Sequence, residues 1–403
     1  MNSLTQKIIY TIITLIVARI GIFVPIPGID HDNLSNSINN NALVNFLNIF
    51  SGGGLSTIGM FALGIIPYIN ASIITQLCTK IIPYLENLQK EEGEAGRRKI
   101  TQITRYLTLF WSIIQSLAIS LWIKPYVFNW NVNFILDCMV TLTTGSIIVM
   151  WLSELITEYG IGNGASLLIF QNIVSGIPKS LPTYSYLLKT ERSTLITIGC
   201  LFVCMLSITI LIQEGTKKID IISAKQLNNT KNLNSKSYIP LKINQGGVMP
   251  IVFASAAMTM ITYILNNINN NNTSITSLRN SPLYIIIYGS LIIIFSYFYA
   301  SLILNPDDIA KNLKKMGASI PGFRPGYKTS KHIKYILNRL TFLGSVFLFL
   351  VALIPSIITN FTDLKIFQGL GATSLLILVG VAIDTAKQIQ TYIISEKYNI
   401  MIQ

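Results

Sequence analysis

Residues 60–83 form the part of the sequence that most limits the possible folds. The segment reads MFALGIIPYINASIITQLCTKIIP, which is apolar enough and long enough to cross a bilayer. Just before it, Phe50-Ser51-Gly52-Gly53-Gly54-Leu55 is a short apolar stretch broken by glycines. Irregular backbone is tolerated at membrane depth only where it is buried in protein or lines a cavity. The two segments together predict a polytopic membrane protein with a re-entrant piece beside a pore or cavity.

The composition agrees with a membrane protein and excludes an ordinary soluble globule. Hydrophobic residues make up 51% of the chain and charged residues 12%, and the mean hydropathy is +0.54. Apolar stretches of about 20 residues recur along the whole chain. We interpret ten of them as membrane spans, at 6–25, 60–82, 103–123, 134–157, 165–180, 193–213, 247–266, 282–304, 336–358 and 370–390.

The net charge of +13 reflects membrane topology rather than nucleic-acid binding. Lysine and arginine concentrate in three alternate loops, within 90–105, 217–242 and 311–339, whereas the intervening loops hold few. Basic residues mark cytoplasmic loops, so both termini are expected in the cytoplasm or its organellar equivalent. A second role for this basic inner face, docking of an acidic partner, stays open at this point.

The ten spans divide into two sets of five, which we assign to an N-terminal half, 1–185, and a C-terminal half, 186–403. Because five is odd, the halves enter the membrane in opposite orientations, as in many transporters and channels. The second half carries two long basic loops, 214–246 and 305–335. In the latter, the turn-forming run Pro321–Gly326 predicts a shaped projection that presents Arg324, the alternative being a solvated loop that serves topology alone.

Signatures of catalysis are absent from the sequence. It has no G-x-x-x-x-G-K-[ST] loop, and its two histidines, His31 and His332, are predicted on opposite sides of the membrane. We therefore expect no enzymatic activity, no cofactor and no metal. An ion-coupled transporter usually keeps an ionisable group near the midplane, and Glu154 is the best such candidate. A secondary transporter for a small solute and a lipid-moving protein or insertase that needs no partner remain as alternatives.

Several motifs distributed along the chain resemble those of the SecY family, the central subunits of the bacterial and plastid protein-translocation channel. They occur in the expected order and cover nearly the whole chain. The matching runs are Arg19–Asp30, Phe50–Gly54, Phe61–Ile69, Gly93–Ile100, Ile156–Gly164, Ile239–Gln245, Asn312–Gly326 and Gly371–Ile377.

The resemblance implies an hourglass channel between the two halves, closed at its waist by a ring of six apolar side chains. Carried over by motif, the pore ring is Ile65, Ile69, Ile169, Ile173, Val252 and Ile377. The residues are compatible with this assignment, because the first two and the next two are i,i+4 pairs that share a helix face. Val252 departs from the isoleucine that the family usually carries at this position.

Three further sites follow from the same resemblance. The glycine-broken segment at about 43–58, with Phe50, Gly52, Gly53 and Gly54, is similar to the plug that caps the pore from the outer side. Spans two and seven are similar to the lateral gate, where Thr75 and Gln115 match polar positions. The inner-face cations that match partner-docking positions are Arg324, Arg97, Arg98 and Lys99.

The function implied is that of a channel-forming subunit without catalysis of its own. It would pass unfolded preproteins across the membrane and release hydrophobic segments sideways into lipid. The expected partners are a SecE-like subunit, a SecA ATPase or a ribosome as the driving component, and a SecG-like subunit in some members. The run Trp151–Leu155 is similar to cyanobacterial and plastid members, which favours a thylakoid membrane, with a bacterial plasma membrane as the alternative.

Overall fold

In its described part, the computed structural model shows long helices together with one small β-sheet. The chain separates into two compact units, residues 1–191 with 381–403 and residues 192–380. The predicted division at residue 185 into oppositely inserted halves stays a prediction. The residues that the structure describes are 3–31, 33–34, 51–91, 93–187, 203, 206–223, 237–247, 249–251, 253–254, 257–258, 261, 282–362 and 372–402.

The first unit is helical in its described part, apart from a few isolated bridges. Its first helix is a span, its second a single turn, and three later helices are long. A 3-10 turn, Lys124–Tyr126, connects the fifth helix to the sixth. The bounds are α1 Ser3–Ile22, α2 Gly54–Thr57, α3 Ile66–Ile81, α4 Pro83–Glu91, α5 Gly93–Ile123, α6 Val132–Tyr159 and α7 Gly164–Leu187.

The second unit combines helices with a three-stranded sheet. The sheet order is β2-β1-β3, and both pairings are antiparallel. A last helix, α11, begins in this unit and continues past residue 381 into the first one. The bounds are β1 Thr216–Ser223, β2 Ser237–Lys242, α8 Pro282–Ile303, α9 Pro306–Lys315, β3 Ala318–Ser319, α10 Tyr327–Thr362 and α11 Ala372–Ile402.

Several helices are long and apolar enough to cross a membrane, which confirms an all-α polytopic membrane fold with a small sheet. The predicted second span begins irregularly, because residues 60–65 form turns and α3 starts only at Ile66. The spans predicted at 193–213 and 247–266 lie largely outside the described residues, so the count of ten stays a prediction. Within the described residues, five helices are candidate spans: Leu4–Ile22, Gly93–Tyr126, Val132–Tyr159, Tyr284–Lys315 and Tyr327–Leu353.

Helix α5 packs against α3 and α6 and buries a row of small polar residues spaced four apart. Side chains at this spacing form one ridge of a helix, and small ones let neighbouring helices approach closely. Their hydroxyls bond to the helix's own carbonyls, as Ser112 Oγ does to Leu109 O at 2.8 Å. This row is therefore a packing surface. Its members are Thr104, Thr108, Ser112, Ser116 and Ser120.

The basic inner loops of the second unit fold into a small domain that sequence reasoning described only as loops. In β1, Ile219 is buried while Lys218 and Asp220 are exposed, which is the alternation of a half-buried strand. Within the predicted loop 305–335, α9 forms and α10 already begins at Tyr327. The buried core of this domain is Ile219, Leu241, Leu313, Ala318, Ile320, Ile333, Leu337 and Leu340.

Candidate functional site

The glycine-broken segment, which we call the plug segment (43–58), is described from Ser51 onward. Phe50 and the residues before it lie outside the described part. Residues 51–53 form a turn, and α2 follows immediately. Gly52 and Gly53 have φ of +67° and +87°, in the left-handed region that glycine adopts without a steric penalty. The run of glycines thus provides a backbone bend before α2, and the role of the segment as a plug stays a prediction.

Gly52 is enclosed by two polar side chains from different helices. Arg19 of α1 donates a hydrogen bond from Nη1 to the Gly52 carbonyl oxygen at 2.9 Å. A Cβ atom at position 52 would lie 2.7 Å from Asn172 Oδ1 on α7 and 2.9 Å from Arg19 Nη1. Position 52 therefore favours glycine for its backbone angle, and an added Cβ atom would also displace the ends of these two side chains.

Backbone hydrogen bonds also join the residues just after α2 to the residues that follow α1. Met60 N donates to Val24 O at 2.8 Å and Ile26 N donates to Ile58 O at 3.0 Å. Leu55 of α2 is buried in the same hydrophobic core as Ile58 and Ile26. The described part of the plug segment is consequently fixed both at its polar start and along its apolar helix.

The four predicted pore-ring residues of the first unit lie on two helices. Ile65 is the N-cap of α3 and Ile69 follows one turn later, while Ile169 and Ile173 lie one turn apart on α7. Ile65 and Ile173 are each 1% exposed, Ile169 is also buried, and Ile69 is half-buried. Since Asn172 directly precedes Ile173, the plug segment contacts α7 at the level of the predicted ring.

The other two members of the predicted ring belong to the second unit. Ile377 lies on α11 and is 5% exposed. Val252 lies outside the described residues. Closure of all six side chains into one ring therefore stays a prediction.

The two residues assigned to the lateral gate have different surroundings. Thr75 on α3 is 2% exposed; its Oγ1 donates to Ala71 O at 2.9 Å and accepts from Thr104 Oγ1 at 3.2 Å. It therefore faces α5. Gln115 lies on α5, the predicted third span, and therefore on neither of the two spans assigned to the gate; its Oε1 atom is buried and unpaired within the described residues. The gate itself stays a prediction, because span seven is described only at scattered positions.

The turn that carries Arg324 is an ordered projection. Thr329 Oγ1 donates to the Arg324 carbonyl at 2.9 Å, and Phe323 N donates to Ile320 O at 3.1 Å. The Phe323 ring stacks on His332 with centroids 3.9 Å apart. The Arg324 side chain is exposed, so a fixed backbone presents a solvated guanidinium. In the first unit, Arg97, Arg98 and Lys99 are likewise exposed near the start of α5.

An ion pair between α5 and α6 was missed by the sequence analysis. Arg105 Nη2 and Glu154 Oε2 lie 2.8 Å apart, and Arg105 Nε donates to Glu154 Oε1 at 3.0 Å. This bidentate geometry is the strongest form of an arginine–carboxylate contact. Glu154 is thus an interhelical structural residue, which removes the best candidate for an ion-coupling site.

Comparison with known proteins gives one consistent family. The SecY family model matches residues 59–386. The protein translocase subunit SecY of Pyropia yezoensis is 61% identical over 407 residues, which cover 99% of this chain and 98% of that protein. SecY of Synechococcus elongatus is 51% identical over 418 residues, covering 100% and 95%.

Solved structures show the same fold at low sequence identity. One, described as "The structure of a protein conducting channel", superposes with a TM-score of 0.67 at 18% identity, covering 98% of this chain and 93% of that chain. Another, "Sec61 in the Canine ribosome-channel complex from the endoplasmic reticulum", has a TM-score of 0.64 at 18% identity with the same coverage. With its motifs, its helical membrane fold and these relatives in agreement, the chain belongs to the SecY family.

Proposed function

We propose that this protein is the channel-forming subunit of a Sec-type translocase, which passes unfolded preproteins across the membrane and releases apolar segments sideways into lipid. One observation carries the proposal: the plug segment is held between α1 and α7, beside the predicted pore-ring residues Ile169 and Ile173. In the proposed channel this segment blocks the passage, and opening requires it to be displaced. The proposal assigns the protein no catalytic step.

The chemistry of the predicted ring suits a conduit for polypeptides. A narrow apolar constriction dewets, so it opposes the passage of hydrated ions. Aliphatic side chains such as Ile65 and Ile173 can also pack around a moving chain without binding any one sequence. A conduit of this kind needs no midplane charge, in agreement with the pairing of Glu154 to Arg105.

The driving partner is proposed to dock on the inner face. Arg324 on its fixed turn is the central contact, and Arg97, Arg98 and Lys99 are further cationic contacts for an acidic partner surface. The partners are a SecE-like subunit and either a SecA ATPase or a ribosome, with a SecG-like subunit as an additional component. The canine Sec61 structure is a ribosome-channel complex, which supports a ribosome as the driving partner.

The membrane is proposed to be a plastid thylakoid. Support comes from the SecY relatives of Pyropia yezoensis and Synechococcus elongatus, since plastid and cyanobacterial members are the ones that the run Trp151–Leu155 resembles. The bacterial plasma membrane is the alternative, and fractionation of the source cells distinguishes the two.

Reconstitution tests the function directly. The protein is incorporated into vesicles with its SecE-like partner and supplied with SecA, ATP and a precursor that bears a signal sequence. We expect protease-protected precursor to accumulate inside the vesicles only when SecA and ATP are both present. Equal transport of precursors with and without a signal sequence would contradict the proposal. Saturable uptake of a small solute without any precursor transport would contradict it as well.

A further inference from the structure

Arg19 is a cation within a predominantly apolar span, and its contacts indicate a role in holding the channel closed. It lies on the last turn of α1. Charged side chains at such positions need close polar or aromatic partners. Among the described residues the guanidinium contacts the Gly52 carbonyl oxygen, 2.9 Å from Nη1, and the Phe23 ring, whose centroid is 4.8 Å from Cζ. Arg19 is half-buried, and part of the stabilisation of this cation thus depends on the backbone of the plug segment.

Asn172, on α7, packs its side chain against the same residue, Gly52. Its side chain is 6% exposed, and Oδ1 lies 2.7 Å from the point where a Cβ at position 52 would be, while Arg19 Nη1 lies 2.9 Å from that point. A guanidinium and an amide on two helices therefore enclose one glycine of a third segment. Displacement of Gly52 has to break the Arg19 hydrogen bond and to open the packing of Asn172 against this position.

We propose that Arg19 and Asn172 form a polar latch on Gly52 that keeps the plug segment in the closed position, and that release of this latch is a step of channel opening. This inference rests on the translocase function proposed above. A charge-assisted hydrogen bond is stronger than a neutral one, and more so where water is excluded. The latch consequently sets the threshold that an arriving precursor has to overcome.

Removal of the charge tests the latch. In vesicles that contain the complex without precursor, Arg19→Gln is expected to raise chloride efflux about ten-fold over the unsubstituted protein. Loss of one charge-assisted hydrogen bond corresponds to roughly that change in an opening equilibrium. The matched control is Lys7→Gln, also on α1, where Lys7 Nζ donates to the Tyr392 hydroxyl at 3.1 Å. Efflux through the control is expected to be unchanged.

A second variant separates the latch from a general folding defect. Asn172→Asp places a carboxylate beside the Arg19 guanidinium and strengthens the closed state. We expect unchanged chloride efflux and about ten-fold slower onset of precursor transport, a slowing that Arg19→Gln in the same chain removes. A merely damaged protein would leak in both single variants.

The outcomes distinguish the latch from the function on which it rests. Efflux of Arg19→Gln equal to that of the unsubstituted protein, or raised efflux in Asn172→Asp, overturns the latch. If the unsubstituted protein still transports precursor with SecA and ATP, the translocase function stands in either case. If the unsubstituted protein transports none, the function fails and the latch fails with it.

Discussion

Replacement of Arg324 by glutamate is expected to abolish SecA- or ribosome-driven translocation while the protein still inserts into the membrane. The reason is electrostatic and local. The turn is held by Thr329 Oγ1 on the Arg324 carbonyl and by the stacked rings of Phe323 and His332, so the new carboxylate would occupy the place of the guanidinium. Reversing a charge at the centre of an interface costs enough to weaken binding about a hundred-fold.

Two measurements on the same preparation check this expectation. Protease-protected precursor reports translocation, and resistance of the variant to alkaline extraction reports its membrane insertion. The matched control is Lys124→Glu, an equal change of charge at an exposed residue on the predicted outer side. Normal transport by the Arg324→Glu variant, or equal loss in the control, would rule out docking through Arg324.

Gly145→Ala is expected to destabilise the protein strongly. Gly145 is buried on α6, and a Cβ atom there would overlap the carbonyl oxygen of Met60. Met60 N donates to Val24 O, so this backbone contact, which lies just after the plug segment, cannot shift freely. Insertion of a methyl group against fixed backbone costs about 3 kcal/mol, which lies at the upper end of overpacking penalties.

Titration of the purified protein with a denaturing detergent measures this loss in the free energy of unfolding. The control is Gly176→Ala on α7, where an added Cβ atom meets nothing within 4 Å. There the better helix propensity of alanine is expected to stabilise the protein by up to about 1 kcal/mol. Equal stability of the two variants would show that α6 does not contact Met60 as described.

The membrane fold was predictable from the sequence because hydropathy depends on residues that are contiguous. The spans at α5, α6 and α10 are uninterrupted apolar stretches, and the bend at Gly52 and Gly53 was signalled by the glycines themselves. The turn that carries Arg324 was likewise predictable from the prolines and glycines of the run Pro321–Gly326.

The contacts that carry the site could not be predicted in the same way. Arg105 and Glu154 are 49 residues apart, and Arg19 meets a backbone carbonyl 33 residues away, which leaves no side-chain pattern to detect. The sheet was missed because the alternation of β1 lies within a strongly basic loop. The sequence contains only a weak indication that Asn172 belongs to the site: it is a polar residue directly before the predicted pore residue Ile173.

Site-specific photocrosslinking tests the central claim, an apolar waist through which the polypeptide passes. A photoreactive residue replaces Ile65, Ile173 or Ile377 in turn, and a precursor fused to a tightly folded domain is arrested in transit. The control is Val140, which is 60% exposed on α6. We predict crosslinks to the arrested precursor from all three ring positions and none from position 140. Crosslinks from position 140 but not from the ring positions would contradict the account.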